Sequence, residues 1–229
     1  LLDEVISENP NFLERVFPLI GGDEVNSQPD HRSHRRVIFL SDIGDERELE
    51  KFGILHRIVR EKVYPERMKL KDTSSGIQLK KRWWAYQAHR PMLYDKVKLQ
   101  DRVFAISLAT PHLAFACIDN KSIYTHKLGI IPSDSWNLFC CIQSRSHEIW
   151  TRFLSSPLGD GFSYSPSDVF ETFPLPPNYD ISPALERAGE LYHAHRAAMM
   201  IATDKGMTKT YNCFHDPHKK AADIVELRR

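Results

Sequence analysis

The run Phe173-Pro174-Leu175-Pro176-Pro177 constrains this chain more than any other stretch. Its prolines remove backbone donors and lock the backbone angle, so neither a helix nor a sheet strand can run through it. The segments on its two sides are therefore read separately. Residues 183–200, rich in Ala, Glu and Arg, predict a helix that opens a helical C-terminal segment.

Before the prolines, the apolar pattern alternates between strand-like and helix-like periods. Residues 36–40 and 102–107 read as strands, as do 113–118 and 122–127 around Asp119-Asn120-Lys121, a hairpin turn by composition, and 128–132. Leu49, Phe52, Leu55, Ile58, Val59 and Val63 predict one amphipathic helix over 45–69 that ends at Tyr64-Pro65. Phe139, Ile142, Ile149, Trp150 and Phe153 predict a second over 137–154. Gly21-Gly22-Asp23-Glu24 reads as a turn, Asp72-Thr73-Ser74-Ser75-Gly76 as a flexible linker, and 155–161 as a glycine-bearing loop. The expected fold is α/β, a twisted, largely antiparallel sheet with packed helices. One domain covers 1–180, with a connecting part over 1–72 and a core over 73–180, and the helical segment covers 181–229.

The 229 residues are 41% hydrophobic, enough for a real core, yet no run approaches the roughly 18 apolar residues of a membrane span. Leu1-Leu2-Asp3-Glu4 is not a signal peptide and lacks an initiator methionine, so the chain reads as a piece of a longer cytoplasmic protein. Cys117, Cys140, Cys141 and Cys213 lack the paired spacing of a zinc knuckle and read as reduced thiols. The net charge of +1 hides an uneven distribution. Residues 1–56 hold 6 Lys and Arg against 12 Asp and Glu, whereas residues 57–102 hold 13 against 5. Such a basic stretch is either a solvated helical face or the footprint of a polyanion.

Motifs of catalysis are weak. Asn9-Pro10-Asn11-Phe12 approximates the Asn-Pro-Pro-Tyr/Phe motif of amino-methyltransferases, but the second proline is missing and no apolar strand or glycine-rich loop precedes it. Pro29-Asp30 with Asp119-Asn120-Lys121 fits the letters of a metal-dependent nuclease, although Asp-Asn at a turn has a backbone explanation. His193 and His195, two residues apart, fall on different helix faces. No catalytic or metal site is expected. Lys80-Lys81-Arg82-Trp83-Trp84-Ala85-Tyr86 is more informative, because cations neutralise phosphates and aromatic faces stack. The expected arrangement has one tryptophan in the core and the basic side chains facing outward.

Several separated segments together resemble one family. They are Asn9-Pro10 continuing to Val16 through Ser27, Val63-Tyr64-Pro65-Glu66-Arg67, Arg82-Trp83-Trp84, Arg90-Pro91, Gln143-Ser144 and His147-Glu148-Ile149-Trp150. Tyr164-Ser165-Pro166-Ser167-Asp168-Val169-Phe170-Glu171-Thr172-Phe173-Pro174 is the most specific, and Gly206 through Pro217 closes the series. In this order they are similar to the target-recognition region of MmeI-like type IIG/IIL restriction–modification enzymes and related adenine-N6 DNA methyltransferases, phage-defence methylases included.

The resemblance implies sequence-specific recognition of double-stranded DNA, directing adenine-N6 methylation and, where a nuclease is present, cleavage by catalytic domains of the same polypeptide. S-adenosylmethionine, and Mg for a nuclease, would belong to those domains. Within this chain, Lys80, Lys81, Arg82 and Arg90 are expected on the DNA backbone. Lys121, Tyr124, His126, Lys127, Asp160 and Ser163 are candidates for base readout, since phosphate contacts position a duplex and base contacts specify it. Trp150, Phe170 and Phe173 are expected in the core. Two competing readings are a protein-interaction module of a phage-defence methyltransferase complex and an independent nuclease with metal near Asp30 and Asp119.

Overall fold

A computed structural model describes residues 2–87 and 90–228. The first elements in chain order are α1 (Leu2–Glu8), β1 (Val16–Ile20), α2 (Gly22–Asn26) and β2 (Arg36–Ile38). Next are the helices α3 (Gly53–Lys62), α4 (Tyr64–Met68), α5 (Ser74–Lys81) and α6 (Pro91–Val97). Then come β3 (Arg102–Ser107), β4 (Ala109–Thr110), β5 (Ala116–Asp119), β6 (Ile123–Tyr124) and β7 (Leu128–Ile131). The helices α7 (Trp136–Ile142) and α8 (Arg145–Leu154) lead into β8 (Ser156–Leu158) and β9 (Gly161–Ser163). The chain ends with α9 (Pro183–Thr203), α10 (Met207–His215) and α11 (Ala222–Leu227). The fold is mixed α/β, and its C-terminal segment is helical.

The chain forms two compact units that interleave in sequence. Unit 1 comprises Leu1–Pro18 and Arg35–Asp95; unit 2 comprises Leu19–His34 and Lys96–Arg229. The crossings between units thus fall at 18/19, 34/35 and 95/96.

Unit 1 is built on a short antiparallel ribbon, in which Val16, Phe17 and Pro18 pair with Ile38, Val37 and Arg36. Val16 and Ile38 pack against Val5, Ile54 and Leu55, and a second cluster gathers Leu40, Leu49, Val59, Trp83 and Trp84. The predicted helix over 45–69 is three pieces. A 3-10 segment covers Glu46–Phe52, Gly53 turns the backbone at φ +39, and Pro65 lies in the first turn of α4 instead of ending α3. Glu8 explains the break, because its carboxylate accepts from the Ile54 amide at 2.8 Å where a side chain on residue 53 would lie. The predicted linker at 72–76 instead starts α5: the Thr73 hydroxyl accepts from the Gly76 amide at 3.1 Å, capping the helix.

In unit 2, β3 is the centre of a three-stranded antiparallel sheet in the order β5-β3-β7. Phe104 pairs with both Cys117 and Ile131. Residues 103–107 of β3 are all buried, and Phe104 and Ile106 meet Leu138, Phe139 and Ile142 of α7 in the main core. Leu19 and Ile20 pair in parallel with Ile123 and Tyr124 of β6. The turn predicted over 21–24 is α2, in which the Glu24 carboxylate accepts from the Gly21 amide at 2.9 Å.

The predicted helix over 137–154 is two. Gln143 ends α7 and turns its side chain onto the Phe115 amide and the Leu113 carbonyl, while the Ser144 hydroxyl caps α8. Helix α9 packs closely on α7, and Gly189 allows the approach: a Cβ there would lie 2.3 Å from the Trp136 carbonyl oxygen. Trp150 and Phe170 are half-buried at the margin of the core, and Phe173 packs against His147 with ring centroids 4.5 Å apart.

Candidate nucleic-acid interface

The basic–aromatic segment of unit 1 behaves differently from the sequence expectation. Both tryptophans are buried, not one: Trp83 is 1% and Trp84 6% exposed. Their ring nitrogens donate to the Glu46 carboxylate at 3.0 Å and the Ile43 carbonyl at 3.1 Å. Arg82 joins them, its Nη2 donating to the carbonyls of Ser41 at 2.9 Å and Ile43 at 3.0 Å. Three neighbouring side chains therefore clamp the 41–46 loop, because a buried donor must find an acceptor. Lys80 pairs with Asp72 at 2.5 Å. Lys81 and Arg90 are exposed, and Arg90, at φ +47, leads into α6 with its carbonyl accepting from Leu93.

The base-readout candidates all lie in unit 2, in two segments. Asp119-Asn120-Lys121 does not close a hairpin, since β5 pairs with β3 while β6 pairs with residues 19 and 20. The Asp119 carboxylate instead accepts from the Lys121 amide at 2.8 Å, so the local Asx turn redirects the chain from one sheet to another. Lys121 is exposed there, and Tyr124 donates from its hydroxyl to the Asp119 carbonyl at 3.0 Å. His126 and Lys127 are the two exposed central residues of a turn closed by Leu128 N to Thr125 O at 3.2 Å.

The second segment, read from sequence as a loop, is a true hairpin. Ser156, Pro157 and Leu158 pair with Ser163, Phe162 and Gly161, and a two-residue connection joins them. It begins at Gly159, whose φ of +55 suits glycine at this turn position. Strand β9 also pairs with β4, giving the order β4-β9-β8. Asp160 at the tip and Ser163 on β9 are exposed, while Phe162 is buried in the core.

These two segments converge on Leu108. Its amide donates to the Lys127 carbonyl at 2.9 Å, and its carbonyl accepts from the Tyr164 amide at 2.8 Å. Ser107 pairs with Leu128 on one side and Ala109 with Ser163 on the other. The backbone thus ties the 125–128 turn to the end of β3 and the 156–163 hairpin to the start of β4, with Leu108 bonded to both. Rigid placement of short projections is what a reading surface requires.

Sequence reasoning missed a cation at the foot of the hairpin. Arg152 donates from Nε to Glu148 at 3.0 Å, and its guanidinium carbon lies 5.6 Å from the Phe162 ring centroid. Glu148 also receives Arg145 at 2.5 Å. Burial pushes the Glu148 carboxyl up, but the two guanidiniums outweigh it and hold the group below its ordinary range. The legible signal was the four-residue spacing of Glu148 and Arg152 on one helix face.

Asn9, singled out with Pro10, caps the 3-10 turn over Pro10–Arg15 by accepting from the Asn11 amide at 3.0 Å. Asp30 accepts from the Arg32 amide at 3.0 Å. No group of three metal-ligating side chains suited to hold an ion occurs among the described residues. No helix among them is long and apolar enough to cross a membrane.

The chain is thus a mixed sheet-and-helix fold in which backbone hydrogen bonds fix a turn and a hairpin in place. It has a counterpart among solved structures: the type IIL restriction–modification enzyme MmeI in complex with DNA. That likeness has a TM-score of 0.65 at 18% identity, covering 99% of this chain and 28% of the other. The chain therefore spans under a third of the length of that enzyme. No curated protein matches the chain. The sequence profile of the MmeI target recognition domain matches residues 2–177, and the chain belongs to that family.

Proposed function

We propose that this chain recognises a specific double-stranded DNA sequence and directs adenine-N6 methylation there by catalytic domains of the same, cytoplasmic polypeptide, with cleavage where a nuclease accompanies them. The observation that carries this reading is the match to a target recognition domain over residues 2–177. The turn and hairpin held on either side of Leu108 support it, since a two-stranded ribbon fits the major groove. S-adenosylmethionine, and Mg for a nuclease, belong to the other domains of such an enzyme. Lys80, Lys81 and Arg90 are assigned to phosphates, and so is Arg152. Arg82 is assigned to holding the 41–46 loop. Lys121, Tyr124, His126, Lys127, Asp160 and Ser163 are assigned to base edges.

The test uses duplexes selected from a random pool by the chain. Lys81→Ala should weaken binding to every sequence and reduce the salt slope by about one unit. Lys121→Ala should relax one position of the selected site at a cost of about 1–3 kcal/mol. Unchanged binding by both variants overturns the proposed surface. A protein-interaction reading draws on Ile149 and Phe153, which lie four residues apart on α8 and are 59% and 83% exposed. It predicts that no duplex is selected.

A further inference from the structure

The outer face of the hairpin carries a residue that the functional reading leaves unused. Neighbouring strand residues point to opposite faces. With Phe162 buried, Gly161 and Ser163 turn to the other face, and the register places Leu158 and Ser156 beside them. Leu158 is 54% exposed, opposite a residue with no side chain. Gly161 cannot be replaced cheaply by a larger neighbour, because a Cβ there would lie 2.4 Å from the Thr110 carbonyl oxygen. This face therefore presents one leucine beside two serine hydroxyls, with the Asp160 carboxylate at the tip. An isolated apolar group among hydrogen-bonding groups matches one base edge in the major groove. Thymine offers a C5-methyl group next to the O4 acceptor, and no other base of unmodified DNA carries such a methyl.

We propose that Leu158 is a specificity-determining residue that packs on the C5-methyl of a thymine in the recognised site. This rests on the reading of the chain as a duplex-DNA recognition module. Hydroxyls on the same face serve the polar edge of that base pair or its neighbour, while Leu158 distinguishes thymine from cytosine by shape and apolarity. Because the side chain is largely exposed and makes little core contact, its replacement leaves the fold intact.

The experiment takes the duplex selected by the full chain and replaces each thymine singly by uracil, which deletes the methyl and keeps Watson–Crick pairing. At one position the wild-type chain should bind about fourfold more weakly, the value of one buried methyl group. Leu158→Ala should bind the thymine and uracil duplexes equally at that position and keep the salt slope and the remaining sequence preference. Leu158→Met should restore the discrimination. A selected site without thymine, indifference of the wild type to every uracil replacement, or full discrimination by Leu158→Ala each overturns the assignment while DNA recognition stands. Failure of the chain to select any sequence overturns the recognition reading, and this assignment with it.

Discussion

Acidification should destabilise unit 2 well before its carboxylates titrate, and two histidines set the magnitude. Burial is the main cause that holds His31 at about 4, below its ordinary 6.5, and the nearby Arg196 adds repulsion. His193 is likewise held at about 4, first by burial and then by Arg196, with its ring stacked 5.0 Å from Trp136. Well above pH 6.5 both imidazoles are neutral in the folded and unfolded chains, so neither contributes a pH dependence there. Between 6.5 and 4 the unfolded chain takes up protons that the folded chain refuses, so stability falls as pH falls. At pH 5 each group costs about 2 kcal/mol, from 1.5 pH units at about 1.4 kcal/mol per unit. Urea denaturation at pH 7.5 and pH 5.0 measures the difference. His31→Gln should flatten the slope in this window by about 1.4 kcal/mol per pH unit. His147 and His215, also lowered by burial, act in the same direction. Equal stability at the two pH values, or an NMR titration that places both His31 and His193 at 6 or above, refutes the reasoning.

Gly161→Ala should cost about 1–3 kcal/mol in the same denaturation assay, since the added methyl meets backbone and forces the hairpin off β4; an unchanged midpoint would show that the strands shift freely. Trp83→Ala should cost about 3–5 kcal/mol, because the ring is 1% exposed and its loss opens a cavity among Leu40, Leu49, Val59 and Trp84. Thr73→Ala should lower stability by about 1 kcal/mol through the lost α5 cap, read as a small fall in the urea midpoint.

Much of the element content was legible in the amino-acid order, and the misreadings share a cause. Strand β3 coincides with the apolar run at 102–107, and α9 extends the helix predicted from 183 by only a few residues. Apolar periodicity, however, continues through breaks that local hydrogen bonds create. The i, i+3, i+4 pattern crosses both Gly53 and Ser144, yet Glu8 and the Ser144 hydroxyl start new helices there. Asp119-Asn120-Lys121 has ideal hairpin composition, and the turn exists, but the partner strands were decided by distant residues 19, 20 and 102–105. Composition likewise revealed the basic segment but not what its guanidinium would do. Arg82 is bound to carbonyls at positions 41 and 43, which no local pattern announces. The hairpin at 156–163 was hidden because Pro157 and two glycines read as loop, whereas its order comes from pairing with β4.

The polypeptide crosses between its two units at three places, and this has a practical meaning for anyone exchanging the projecting hairpin between relatives. A single-junction chimera placed after residue 95 would carry a foreign 96–229 while retaining the native 19–34, whose Leu19 and Ile20 must zip onto a strand they did not evolve beside. During synthesis, too, those early residues wait for β6 to emerge, roughly a hundred codons later by the pairing of residues 19 and 123. Retargeting such a module is therefore better attempted by changing side chains on the finished scaffold than by splicing.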